Sequence, residues 1–244
     1  MATALSLVHS RSWTASRIDD LLIEAGHTVR TIYPADGDPV PTRLDGIDAV
    51  TIGGHHISPY LADTNPHVAA ELALIEQPLA ATGSRAAVPR YLLRCTGTGH
   101  RRRRVDRATP RRRRGVRVLP ARTHPSGSDM FHGLTHVFQS HYEACLDVPP
   151  GGELLARSEM FDVQAFRIGT SAIGLQFHPD TRADMIAGWW EGNAHLHHRL
   201  GTHPLERQLV DAEAFEASIH GWTRRFLHDW LGAAQQPPAS APVP

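Results

Sequence analysis

Three short apolar segments near the start of the chain constrain its fold more than any other feature. Residues 5–9, 27–33 and 48–52 are rich in aliphatic and β-branched side chains, and each is short enough to read as a strand. Between the first two, Ile18, Leu21, Leu22 and Ala25 recur at helical spacing, and Gly26 suits the position just past a helix end. Asn65-Pro66 makes an N-cap and first-turn pair. Val68, Leu72, Ile75 and Leu79 then share one helical face, and Pro78 predicts that this helix bends or ends early. Strand and helix alternating through short connections predict an α/β fold, a doubly wound and mostly parallel sheet with helices on both faces.

The pattern resumes in the second half. Residues 135–139, 154–158, 165–168 and 172–177 read as strands, with Pro149-Pro150-Gly151-Gly152 as a turn. Thr181 is expected to cap a helix running through Trp189-Trp190. Phe215, Ile219, Trp222, Phe226 and Trp230 form the apolar stripe of a last helix, and at that spacing the stripe reads as core. Residues 1–232 are read as one domain, and the Ala-, Pro- and Gln-rich residues 233–244 as a disordered tail.

Composition narrows the class. A hydrophobic content of 41% with 20% charged residues is that of a soluble globular protein. No apolar run approaches the length of a membrane span, and the start lacks the basic region and cleavage site of a secretory signal. Two cysteines, Cys95 and Cys145, give no disulfide framework, so a reducing, cytoplasmic location with no membrane partner is expected.

The densest chemistry lies in Gly174-Leu175-Gln176-Phe177-His178-Pro179-Asp180. An imidazole and a carboxylate two residues apart follow directly on an apolar strand. A loop can then present His178 as a base while Asp180 holds its far nitrogen in one tautomer. A bare H-x-D is more often a core histidine beside a turn, but the flanking residues here carry more. They resemble the base-bearing motif of class I glutamine amidotransferases, written G-x-Q-F-H-P-E, with Asp in the last place. Asp48-Ala-Val-Thr-Ile-Gly53-Gly54 resembles the strand and glycine turn of that family. The stretch from Ala69 to Ile75 resembles its next helix in the stand-alone branch related to the glutaminase domain of GMP synthase. Val137-Phe138-Gln139-Ser140-His141, Val148-Pro149-Pro150-Gly151 and Gln164-Ala165-Phe166-Arg167-Ile168-Gly169 resemble its later segments. The likeness covers about residues 4–83 and 128–232.

The resemblance implies glutamine as the substrate and a cysteine thioester as the intermediate, with no cofactor and no metal. It implies Cys95 as nucleophile, His178 as base and Asp180 as its orienting carboxylate. The oxyanion donors would come from the Gly53-Gly54 turn and from Thr96, the residue after the cysteine. Ser140 and His141 would contact the glutamine backbone groups, although Tyr142 and Glu143 stand where the nearest branch has Gly and Asp. No ATP-pyrophosphatase domain is present, so a synthase that accepts the ammonia would be a separate partner. The other reading is a catalytically inactive scaffold with a binding or regulatory role. His55, His56, His195, His197 and His198 lack acidic or cysteine partners at metal-site spacing and read as solvated. Cys145 reads as a buried structural thiol.

The family nucleophile sits in G-x-C-x-G-x-Q. Cys95-Thr96-Gly97 has the right place in the order, but Leu93 stands for the first Gly and Gly99 for the Gln. A bulky residue two before the cysteine should clash with the helix or open the turn. Residues 84–127 lie outside the likeness, and here the charge is skewed: all 25 basic residues are Arg, and 14 of them fall between Arg85 and Arg122. Eight stand in two runs, 101–104 and 111–114, and cannot be buried, since one unpaired buried charge costs several kcal/mol. Three readings fit this window. It is an inserted basic loop, a nucleic-acid arm, or a stretch of GC-rich gene read out of frame. Nearly absent aromatic interleaving argues against nucleic acid, and the abrupt stop and return of the likeness favours the third reading.

Overall fold

The computed structural model describes residues 1–9, 11, 16–54, 57–80, 90–94, 115–120, 122–123, 125–127, 129–141, 145, 147–159, 161–170, 172–192 and 202–232. Eight strands make its main sheet: β1 (Thr3–Leu7), β2 (Thr28–Ile32), β3 (Ala49–Ile52), β4 (Arg90–Arg94), β6 (Arg122–Thr123), β8 (Gly152–Arg157), β9 (Ala165–Ile168) and β10 (Ala172–Leu175). Their order is β2-β1-β3-β4-β10-β9-β8-β6. Neighbours from β2 through β10 pair in parallel, and those from β10 through β6 pair antiparallel. The α/β fold with a parallel sheet and flanking helices is therefore as expected.

Alternation along each strand builds two cores. Ala4, Ala49, Leu92, Ile173 and Leu175 point to one face. There they meet Ile18, Leu21 and Leu22 of α1 (Arg17–Glu24) and Ile219, Trp222, Phe226 and Trp230 of α4 (Leu205–Gly232). Leu5, Leu7, Val50, Ile52 and Ala172 point the other way, with Leu74 of α2 (Pro66–Ala80). The aromatic stripe of the last helix is core, as its spacing predicted. Helix α1 starts at Ser16, whose hydroxyl accepts from the Asp19 N–H at 3.3 Å, and ends before Gly26 at φ +82°. Only glycine adopts that angle without strain.

The structure departs from the sequence reading in four places. Helix α2 runs to Ala80, so Pro78 sits in its last turn rather than ending it. Thr181 does not cap α3 (Ala183–Gly192); its buried hydroxyl makes no hydrogen bond, and its carbonyl is held by the Arg17 guanidinium at 2.6 Å. The strand expected at 135–139 is β7 (His136–His141), and it leaves the main sheet to pair with β5 (Gly115–Pro120) in a two-stranded ribbon. Lastly, β4, β5 and β6 fall inside 84–127, the window outside the family likeness. β4 lies in the centre of the sheet between β3 and β10, with Leu92 buried. The arginine runs at 101–104 and 111–114 and the tail 233–244 lie outside the described residues, as do His55, His56, His195, His197 and His198. No described helix is long and apolar enough to cross a membrane.

Candidate active site

The carboxyl ends of β1, β3, β4 and β10 open on one cavity, the usual place for a site in a parallel α/β sheet. Leu7, His9, Thr51, Gly53, Asp180 and Trp189 are among the residues lining it.

His178 is placed by the alternation that ends β10. Phe177 turns into the core, edge-on to Phe131 at 6.1 Å and tilted against Trp222 at 5.9 Å. That directs the next side chain the opposite way. The His178 N–H donates to the Phe138 carbonyl at 2.9 Å, a single bridge that ties β7 to the end of the sheet. The ring is 2% exposed and lies edge-on to Phe138 and Trp189, with centroids 5.8 and 5.1 Å away. Nδ1 stands 3.4 Å from Asp180 Oδ1, and Nε2 stands 3.2 Å from the Ser140 carbonyl oxygen. Both neighbours are acceptors only, so this pocket suits a ring carrying two protons, the state a general base reaches after taking one.

Asp180 is itself anchored. Its carbonyl accepts from the Arg17 backbone N–H at 3.2 Å, and the Arg17 side chain bonds Thr181 O at 2.6 Å and Glu216 Oε2 at 2.8 Å. This guanidinium is 2% exposed and clamps the 179–181 loop between α1 and α4. Sequence reading passed over Arg17, because an arginine just after a cap residue is ordinarily a solvated helix start. Gln176 turns away from the cavity, and its Oε1 accepts from the Cys145 N–H at 2.7 Å. Cys145 is buried, as expected, and forms no disulfide among the described residues.

On the opposite rim, Gly53 and Gly54 follow β3. The Gly53 N–H donates to the Leu7 carbonyl at 3.0 Å, continuing the β1–β3 ladder, so it is not available to a substrate. The Gly54 carbonyl accepts from Nδ1 of His9 at 2.8 Å, and Nε2 of His9 lies 3.0 Å from Glu71 Oε2. Neither His9 nor Glu71 stood out in the sequence. His9 closes a strand segment, and Glu71 breaks an otherwise apolar helix run, which was the one available signal.

Beneath this rim, Asp19 is buried and accepts from Ser6 Oγ at 2.8 Å and Thr31 Oγ1 at 3.3 Å. Burial pushes its carboxyl above the ordinary range, and the hydroxyls pull it part of the way back. Among the described residues no three His, Cys, Asp or Glu side chains are grouped as a metal site requires. Cys95, Thr96 and the side chain of His141 lie outside the described residues. Strand β4 ends at Arg94, the residue before Cys95, in register with Leu175 of β10.

No family model matches the chain. A stretch of 57 residues is 42% identical to a glutamine-hydrolyzing GMP synthase subunit of Thermococcus kodakarensis, which is 22% of this chain and 30% of that protein. The match thus spans less than a third of the curated relative. Among solved structures, a glutamine amidotransferase from Thermotoga maritima superposes with a TM-score of 0.75 at 19% identity, over 94% of this chain and 98% of that one. A glutamine amidotransferase from Methylobacillus flagellatus gives 0.72 at 18% identity, over 98% and 97%. Motif resemblance and backbone agree, and the chain has the class I glutamine amidotransferase type of fold.

Proposed function

We propose that this chain hydrolyses the side-chain amide of glutamine and releases ammonia, with Cys95 as nucleophile, His178 as base and Asp180 as the carboxylate that orients the ring. The observation that carries the reading is the pairing of His178 with Asp180 at the end of β10, the strand next to β4, whose last residue precedes Cys95. In the proposed cycle His178 takes the thiol proton and sulfur attacks the amide carbon. The proton then passes to the leaving nitrogen as the C–N bond breaks. Water, deprotonated by the same ring, cleaves the thioester to glutamate.

Charge that develops on the amide oxygen needs preorganised donors. Because the Gly53 N–H already serves the sheet, the donors in this reading are the N–H groups of Gly54 and Thr96. Ser140 has a second task beyond the substrate contact implied by resemblance. Its carbonyl steadies the protonated imidazole. The similarity to part of a GMP synthase supports a separate synthase as acceptor of the ammonia.

Leu93, where the family elbow carries glycine, favours the second reading, an inactive scaffold that binds or regulates a partner. One assay separates the two. Glutamate release from glutamine by the purified chain, abolished in Cys95→Ala, is the expected result. A folded chain that releases none overturns the hydrolase reading and leaves the scaffold.

A further inference from the structure

His9 and Glu71 form a buried pair that the proposed chemistry does not use. Their side chains are 1% and 8% exposed, and they join the end of β1 to α2 across 62 residues. Protons can be assigned to this pair by what each neighbour can accept. The Gly54 carbonyl has no hydrogen to give, so Nδ1 of His9 must carry one to make the 2.8 Å contact. A neutral ring of that tautomer presents a lone pair at Nε2, which would repel a bare carboxylate 3.0 Å away. The pair must therefore hold a second proton, on Nε2 or on Glu71, and it is then neutral overall. A pair that is neutral overall is what a site this dry can tolerate, although the other Glu71 oxygen, Oε1, is buried without a hydrogen-bond partner.

The consequence falls on the glycine turn. Gly53 is tied to Leu7 through its N–H, and Gly54 is tied to His9 through its carbonyl. A Cβ on Gly53 would stand 3.3 Å from the Leu7 carbonyl oxygen, so the turn lies close against β1. Among the described residues the Gly54 N–H makes no hydrogen bond, and Gly54 is one of the residues lining the cavity. We propose that His9, backed by Glu71, is a positioning residue that sets the orientation of the Gly53-Gly54 turn and so aims the Gly54 N–H at the reacting carbonyl. This rests on the reading that the site is a glutaminase whose oxyanion meets that N–H.

The two ring nitrogens can be tested apart. An asparagine amide nitrogen overlays Nδ1, and a glutamine amide nitrogen overlays Nε2. His9→Gln keeps a donor toward Glu71 and loses the one toward Gly54. The double variant His9→Asn with Glu71→Gln keeps the donor toward Gly54 and removes the stranded carboxylate. With glutamine as substrate, His9→Gln is expected to lower kcat about 10²-fold with KM nearly unchanged, as misplacement of a group that acts on the transition state does. The double variant should stay within about tenfold of the parent chain. Equal losses in both, or none in His9→Gln, overturn the proposal.

A second readout does not depend on activity. In isotope-labelled parent chain, the His9 Nδ1–H should be a slowly exchanging proton coupled to the Gly54 carbonyl carbon, and the Gly54 signals should move in His9→Gln but not in the double variant. Absence of that protected proton overturns the proposal even if neither variant folds. If the parent chain releases no glutamate while the Gly54 signals behave as stated, the glutaminase reading fails and the tie stands.

Discussion

Two histidines are sealed at the same end of the sheet, each beside a carboxylate and a backbone carbonyl, and they are built to different tolerances. His9, on the β1 rim, reaches its two partners at 2.8 and 3.0 Å. His178, beyond β10, stands 3.2 Å from its carbonyl and 3.4 Å from its carboxylate, with aromatic edges on two sides. In the positioning role proposed for His9, short contacts at both nitrogens hold the Gly53-Gly54 turn in place. In the function proposed for this chain, the longer contacts leave His178 able to exchange a proton without first breaking a tight bond. Burial alone does not separate the two, since they are 1% and 2% exposed. Contact length does.

The largest effect expected from this contrast is on the β10 side. His178→Asn should lower glutamate release by about 10²- to 10⁴-fold, the usual share of a general base, while thermal stability changes little. A loss no greater than that of His9→Gln would mean that the two rings do the same kind of work.

Packing behind the His178 rim comes next. Trp222 stacks on Phe131 at 5.5 Å and on Phe226 at 4.9 Å, meets Phe177, and donates from Nε1 to the Met130 carbonyl at 2.9 Å. Trp222→Ala should cost about 3–5 kcal/mol, read from urea unfolding. Amide protection should fall at residues 177–180 before it falls along β1 and β3. Uniform loss of protection would show that the two rims share one cooperative unit.

The smallest effect is on the β1 side. Asp19 holds its proton more tightly folded than unfolded because burial disfavours the carboxylate. The stability it adds is therefore complete below the ordinary value of 3.8 and is lost as pH rises through the higher folded value. At neutral pH the ionised group is a liability. Asp19→Asn should raise Tm there, with the gain vanishing in acid below the ordinary carboxylate value of 3.8. A gain that persists in acid would assign it to something other than charge.

Much of the fold was legible because its signals are local. The Gly26 stop and the α4 stripe each sit within a few turns of sequence, and short aliphatic and β-branched runs marked strands that line both faces. β4 was missed because no strand was assigned within 84–127, and only its pairing with β3 and β10 places it in the sheet. The motif at 174–180 marked His178 and Asp180, which the fold brings within 3.4 Å. That contact was readable because two residues of loop span it.

Nothing local could pair His9 with Glu71 across 62 residues or Arg17 with Glu216 across 199. Such pairs are chosen only when helices close over the sheet and water leaves, since a polar side chain acquires its role from what replaces its solvent. The same closure took the Gly53 N–H into the β1–β3 ladder and left that of Gly54. Periodicity and the motif residues were written in the chain; the partners of its buried polar groups were set by how the layers packed.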